Sequence, residues 1–149
     1  MIYADPDSLY RTTDGGQHWT PLSAPLKPHR FSDLVYATLQ ATDAQHYWLM
    51  DGYNLYASSD AGNSWKSVIS AQDSSLQYFV DLKMINSQTG YLMASAKVLK
   101  TTNGGASFTP VYGSASLSME SLNFVDEKHG WACGKLSMPS QIILLKYSH

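Results

Sequence analysis

The sequence predicts an all-β chain, a partial β-propeller of about 3.5 four-stranded antiparallel blades, and three observations carry that prediction. One stretch recurs in register: "LYRTTDGGQHW" at Leu9 to Trp19, "LYASSDAGNSW" at Leu55 to Trp65 and "VLKTTNGGASF" at Val98 to Phe108. Between these copies, runs rich in aromatic and β-branched residues fall four to a period of about 40–45 residues, the spacing of a propeller blade. No segment sustains the three-and-four apolar spacing of an amphipathic helix, so helix content is expected to be very low.

Along the chain, "IYADPDSLYRTTD" sits without gaps over "WLMDGYNLYASSD", which has the chain open on the second strand of a blade. The second repeat supplies "FSDLVYATL", "YWLM", "NLYASS" and "WKSVIS". The third supplies "YFVDLKMI", "YLMASA", "VLKTT" and "SFTPVY", and each run is too short for a helix. The register extends upstream, where Asp43 matches Asn86, and into a fourth copy, where Gly130 and Trp131 answer Gly90 and Tyr91. That copy reaches "LLKYSH", with His149 at the position of Asn103. The expected organisation is a partial blade at 1–22, blades at 31–70 and 76–113, and a partial blade at 119–149. Closed propellers have roughly four to eight blades, so the expectation is a portion of a longer propeller, with self-association through exposed blade edges as the runner-up.

Within each copy the residue types are those of a turn. Asp14, Asp60 and Asn103 are 46 and 43 residues apart. Asp and Asn oxygens accept hydrogen bonds from backbone N–H groups two residues on, and Gly16, Gly62 and Gly105 supply the positive φ of a tight hairpin. Thr12, Ser58 and Thr101, two positions before, add a hydroxyl. Trp19, Trp65 and Phe108, five positions after, are expected to return into the sheet as apolar plugs between blades. Asn103 keeps the acceptor oxygen without the charge, an exchange that a catalytic carboxylate would not survive. These residues are expected to be structural, in turns between third and fourth strands.

The pattern Ser/Thr-x-Asp-x-Gly-x-x-Trp/Phe resembles the Asp-box, or bacterial neuraminidase repeat. Its families include sialidases, xyloglucan-cleaving glycoside hydrolases, sortilin-type receptors and photosystem II assembly and stability factors. The last is most similar, since its repeats combine "T-x-DGG-x-x-W" with an upstream "F-x-D-x-x-x-G-W-x-x-G", and this chain has "FVDEKHGWACG" from Phe124 to Gly134. The resemblance covers the whole chain and implies a sialidase-like propeller fold. It further implies a non-catalytic binding or assembly scaffold for a protein partner, without a cofactor, in an extracytoplasmic or cell-envelope bacterial setting. The alternative is part of a carbohydrate-active propeller, a glycoside hydrolase or a glycan-binding module.

Composition narrows the classes further. At 149 residues the chain is the size of one domain, and 44% apolar with 15% charged residues suits a folded chain. A net charge of −2 offers no platform for nucleic acid. The longest aliphatic run, Ile142 to Leu145, is far too short to cross a bilayer, so no membrane span is expected. Cys133 is the only cysteine, which leaves neither an intrachain disulfide nor a CxxC metal pattern. His18, His29, His46, His129 and His149 fall in different repeats without ligand-like spacing, so no metal is expected. A three-arginine carboxylate clamp of the sialidase kind is beyond a chain holding only Arg11 and Arg30. A glycosidase needs two placed carboxylates, and no motif selects a pair here. GxSxG, GxxxxGK[ST] and HExxH are absent, and no catalytic residue is expected.

Binding is expected on the face opposite the boxes, where the connections are longer and less repetitive: "PLSAPLKPHRF", "SAQDSSLQ", "YGSASLSMES" and the insertion "GKLSMPSQ". Lys27, His29, Arg30, Tyr53, Lys135 and Met138 are the candidate contact residues.

Overall fold

Four antiparallel sheets follow one another along the chain. The structure, a computed structural model, describes residues 9–23, 25, 37–72, 76–136 and 140–148. The first sheet pairs β1 (Leu9–Arg11) with β2 (Thr20–Leu22). The second runs β3 (Thr38–Ala41), β4 (Tyr47–Met50), β5 (Asn54–Ser58) and β6 (Lys66–Ser70) in spatial order. The third repeats the meander with β7 (Phe79–Met84), β8 (Gly90–Ala94), β9 (Lys97–Thr101) and β10 (Thr109–Gly113). The fourth has β11 (Leu117–Phe124), β12 (His129–Leu136) and β13 (Gln141–Ser148). Among the described residues every regular element is a strand. The strand expected near Ile2 and the start of "FSDLVYATL" lie outside them.

The strands form where the apolar pattern lets both sheet faces be covered. All five residues of β8 are buried because the third sheet is packed on both sides. Trp48, Met50 and Leu55 of the second sheet meet Leu82, Met84 and Leu99 of the third in one core. Tyr91, Met93 and Val98 of the third meet Leu117, Met119, Leu122 and Phe124 of the fourth in another. A fully buried aliphatic side chain contributes about 1.5–3 kcal/mol, so these two seams carry much of the folding drive.

Polar side chains tie the inner strands together. Gln40 spans from β3 to β7, its Nε2 donating to the Met84 carbonyl at 2.9 Å and its Oε1 accepting from the Met84 N–H at 2.7 Å. Asp81 joins β7 to β11, where Oδ2 accepts from the Leu122 N–H at 2.9 Å and from Ser121 Oγ at 3.1 Å. Both contacts at Asp81 lie at bulges, between Phe79 and Asp81 in one strand and between Met119 and Ser121 in the next. Each supplies a partner that the strand ladder cannot.

Two expected loops are shorter than the sequence suggests. The second half of "YGSASLSMES" enters β11, since Leu117 and Met119 are buried in the seam with the third sheet. The insertion "GKLSMPSQ" lengthens a hairpin: Lys135 pairs with Ile142 and Leu136 with Gln141, satisfying backbone groups that a loop would leave to water. Lys135 is therefore a strand residue at the hairpin end of β12.

Candidate binding face

Antiparallel connectivity sends the turns to two opposite ends of the sheets. One end holds the recurrent stretches, in the connections β1–β2, β5–β6 and β9–β10. In each, a hydroxyl and a carboxylate or amide organise the backbone. Thr12 Oγ1 donates to Asp14 Oδ1 at 2.8 Å and accepts from the Gly16 N–H at 2.9 Å. Ser58 does the same with Asp60 and Gly62, both at 2.8 Å, and Thr101 with Asn103 at 3.0 Å and Gly105 at 2.9 Å. Asp14 Oδ1 then accepts from the His18 N–H at 2.9 Å, Asp60 Oδ1 from Ser64 at 2.8 Å and Asn103 Oδ1 from Ser107 at 3.0 Å. The acceptor thus reaches four residues ahead, where two were expected, because the turn is wider than a two-residue hairpin and the nearer N–H groups face the hydroxyl.

The two-residue reach appears instead in the neighbouring turns at the same end. Asp43 accepts from Gln45 and His46, Asn86 from Gln88 and Thr89, and Asp126 from Lys128 and His129, all at 2.7–2.9 Å. These bonds depress the carboxyls. Asp14 is held at about 2, chiefly by the His18 N–H and then its ring, and Asp60 at about 2, chiefly by the Ser64 hydroxyl and then its N–H. Asp43 is lowered first by the Gln45 N–H, and Asp126 first by the His129 ring. Every one of these carboxylates is engaged in its own turn. Among the described residues no group of three or more His, Cys, Asp or Glu is placed to hold a metal ion.

The aromatic residues of the recurrent stretches are less uniform than expected. Phe108 packs on the core between the second and third sheets, and Trp65 is half-buried. Trp19 is 59% exposed, so it plugs no gap: its Nε1 donates to the Gly16 carbonyl at 3.1 Å, and no other described sheet covers that side of the first. Trp65 makes the same bond to Gly62 at 3.1 Å. Gly62 and Gly105 have positive φ and no spare room, since a Cβ would press on Leu22 or on Val68 of the preceding sheet.

The opposite end carries the connections β4–β5, β6–β7, β8–β9, β10–β11 and β12–β13. Of the six candidate contact residues, Lys27, His29, Arg30 and Met138 lie outside the described residues. Tyr53 is half-buried against the core, in a turn built by the buried Asp51, whose Oδ1 accepts from the Tyr53 N–H at 3.0 Å and the Asn54 N–H at 2.6 Å. Lys135 is exposed two sheets away. The structure therefore does not bring Tyr53 and Lys135 together.

Between them lies a surface that no sequence motif marks. Two adjoining concavities of about 240 Å³ and 220 Å³ share Ser95 and Ala96 of the β8–β9 turn. Gln77 and Lys97 line one, Tyr78 and Ser116 the other. Gln77 and Ser95 both hold positive φ, 45° and 50°, and are locked to each other by Ser95 Oγ donating to Gln77 Oε1 at 3.1 Å. Ser95 N–H also donates to the Tyr78 carbonyl at 3.0 Å. Left-handed backbone at non-glycine residues costs about 1–3 kcal/mol each and gathers at sites shaped for function. No motif announces this face, since its walls come from three connections far apart in sequence.

No protein-family model and no curated protein matches this sequence. Among solved structures, YCF48 from Cyanidioschyzon merolae superposes with a TM-score of 0.66 at 12% identity, over 95% of this chain and 44% of that one. A structure of YCF48 bound to D1 peptide aligns at a TM-score of 0.40 and 13% identity, over 97% of this chain and 73% of that one. The chain thus spans under half the length of the first structure. At such identity the likeness to the first is one of fold: an all-β, propeller-type succession of antiparallel sheets.

Proposed function

We propose that this chain is a non-catalytic binding or assembly scaffold that holds an extended segment of a protein partner on the face opposite the recurrent turns. The observation that carries the reading is the pair of adjoining concavities around Ser95 and Ala96, with Tyr78 exposed at their rim. An elongated, shallow trough with backbone groups, an aromatic anchor and Lys97 suits a peptide better than a compact substrate. The same reading takes the four sheets as successive blades, at 1–22, 31–70, 76–113 and 119–149, with the outer two partial. It takes Thr12, Asp14, Gly16, Ser58, Asp60, Gly62, Thr101, Asn103 and Gly105 as turn-builders, an assignment supported by the threefold hydroxyl and carboxamide or carboxylate pattern.

Selection of a displayed random-peptide library on the 149-residue chain tests this. Selected peptides are expected to lose about tenfold or more in affinity to Tyr78→Ala and Lys97→Glu, the cost of a contact worth about 1.4 kcal/mol. They should keep their affinity for Lys128→Glu at the opposite end. Binding confined to a glycan array, or lost only in Lys128→Glu, overturns the reading.

A further inference from the structure

Asn103–Gly104 is the one Asn–Gly step in the chain, and it heads the third recurrent turn, where the first two carry Asp14 and Asp60. Asn–Gly is the dipeptide at which a polypeptide most readily modifies itself, because glycine has no Cβ to keep its amide nitrogen away from the preceding side chain. In that reaction the Gly104 nitrogen gives its proton to hydroxide and bonds to Cγ of Asn103. The Cγ–Nδ2 bond breaks, and the amide nitrogen takes a proton from water and leaves as ammonia. Water then opens the cyclic imide at one of its two carbonyls. Opening at one leaves aspartate; opening at the other leaves isoaspartate, with the main chain routed through the side-chain carbons.

The folded turn withholds each group that this reaction needs. The Gly104 N–H donates to the Gln88 carbonyl at 2.8 Å, in the turn between β7 and β8. Asn103 Oδ1 accepts from Thr101 Oγ1 and from the Ser107 N–H, both at 3.0 Å, and Nδ2 donates to Ser107 Oγ at 2.9 Å. The nitrogen is thus aimed at a neighbouring turn and the carboxamide along its own. Gly104 has little room to swing, since a Cβ on it would lie 3.2 Å from the Ser87 carbonyl oxygen. Attack on Cγ requires these bonds to open together, a local event with its own free-energy cost. Asn103 is exposed, so water reaches it once the turn has opened.

The second recurrent turn already has the form that the aspartate product would take. Asp60 Oδ1 accepts from Ser58 Oγ and the Ser64 N–H, both at 2.8 Å, and Oδ2 accepts from Ser64 Oγ at 2.5 Å. The Ala61 N–H donates to the Gln45 carbonyl at 2.9 Å, as Gly104 does to Gln88. Conversion of Asn103 to aspartate therefore asks only that the Ser107 hydroxyl rotate from accepting to donating. Isoaspartate has no such counterpart. It lengthens the main chain and shortens the side chain, so its carboxylate falls short of Ser107 while Gly104 stays on Gln88.

We propose that Asn103 is a site of spontaneous deamidation gated by its own turn. The reaction proceeds from the opened turn, and of its two products aspartate alone rebuilds the turn, giving the third copy the carboxylate that the first two carry. The site lies at the end of the sheets opposite the trough around Ser95, so deamidation here and peptide binding there are tested separately.

The test incubates the 149-residue chain at mildly alkaline pH, folded in buffer and unfolded in urea, and follows the proteolytic peptide that begins at Thr101 by mass and isoaspartyl content. The folded chain is expected to convert at least about tenfold more slowly than the unfolded one. Ser107→Ala removes an exposed hydroxyl and with it one restraint on the carboxamide. It should convert severalfold faster than the unaltered chain when folded and at the same rate when unfolded. Chain aged in urea and then refolded separates the products. The aspartate form, and Asn103→Asp made directly, should unfold at pH 7 at the urea midpoint of the unaltered chain or above it, and the isoaspartate form below it. Equal rates in the folded and unfolded chain, a folded rate indifferent to Ser107→Ala, or an isoaspartate form as stable as the aspartate form overturns the proposal.

Discussion

Tyr91 and Phe124 stack face to face across the third and fourth sheets, with ring centroids 3.6 Å apart and planes 7° from parallel. Tyr147 closes the cluster edge-on to Tyr91 at 5.8 Å, and the Tyr91 hydroxyl donates to the Glu127 carbonyl at 2.8 Å. One residue thus fills the seam and ties it to the turn beyond. Tyr91→Ala is expected to destabilise the chain by about 3–5 kcal/mol, and Tyr91→Phe, which keeps the ring and loses the hydrogen bonds of the hydroxyl, by about 1–2 kcal/mol. Urea unfolding of the two variants measures the difference.

The position opposite Phe124 is Gly130, paired with it across β11 and β12, and a Cβ there would clash with the Phe124 ring. Met84 and Gly90 repeat this large–small pair in the third sheet, whereas the second inverts it as Ala41 and Tyr47. Volume is shared between the two members. Gly130→Ala is expected to cost about 1–3 kcal/mol through overpacking. Combining Gly130→Tyr with Phe124→Ala, after the second sheet, should cost less than the sum of the two singles, a coupling that a double-mutant cycle reads directly.

These pairs show why the fold was legible and the site was not. The strands announce themselves because Trp48, Tyr91 and Trp131 return at one register, and a repeated seam leaves the same apolar imprint each time. Asp14, Asp60 and Asn103 were equally visible as turn-builders, though their four-residue reach depends on a turn width that spacing alone does not encode. The trough is another matter. Gln77, Tyr78 and Ser95 belong to no motif; they meet because β7, β8 and β11 bring three connections to one end, and positive φ at Gln77 and Ser95 leaves no mark on residue type. An insertion in one repeat looks the same in sequence whether it bulges out or extends a hairpin, so nothing in the residues around Lys135 distinguishes a loop from a strand end.

Ala61 stands where the other recurrent turns have Gly15 and Gly104, and it adopts the same left-handed backbone, φ 59° against 70° and 63°. Its N–H donates to the Gln45 carbonyl at 2.9 Å and its carbonyl accepts from Arg11 at 2.8 Å, so the turn holds the residue in place despite the strain. Ala61→Gly keeps both bonds. It removes a left-handed penalty of roughly 1–2 kcal/mol and adds chain entropy to the unfolded state worth roughly 0.5–1 kcal/mol. The net expectation is a gain of between zero and about 1.5 kcal/mol, seen as a higher midpoint in thermal or urea unfolding.

Acid should weaken the chain in a window set by the turn carboxylates. Asp14 and Asp60 are held at about 2 in the folded protein, against about 3.9 for a free aspartate. Between those values the unfolded chain binds more protons than the folded one, so the stabilisation is fully present above pH 4 and is lost as pH falls toward 2. Asn103 shows how to remove the charge without removing the turn: it keeps the Oδ1 acceptor and donates Nδ2 to Ser107 Oγ at 2.9 Å. Asp60→Asn has Ser64 in the same place, now able to accept from the amide. The variant should be less stable than the unaltered chain at pH 7, where the charge contributes, and fall less steeply between pH 4 and 2 so that the two converge in acid, with the remaining slope coming from Asp14, Asp43 and Asp126. Urea midpoints at half-unit steps of pH decide the matter. An acid limb identical to that of the unaltered chain would mean that the Ser64 bonds do not hold the Asp60 carboxyl down, and a loss at pH 7 that persists undiminished at pH 2 would mean that the amide does not rebuild the turn.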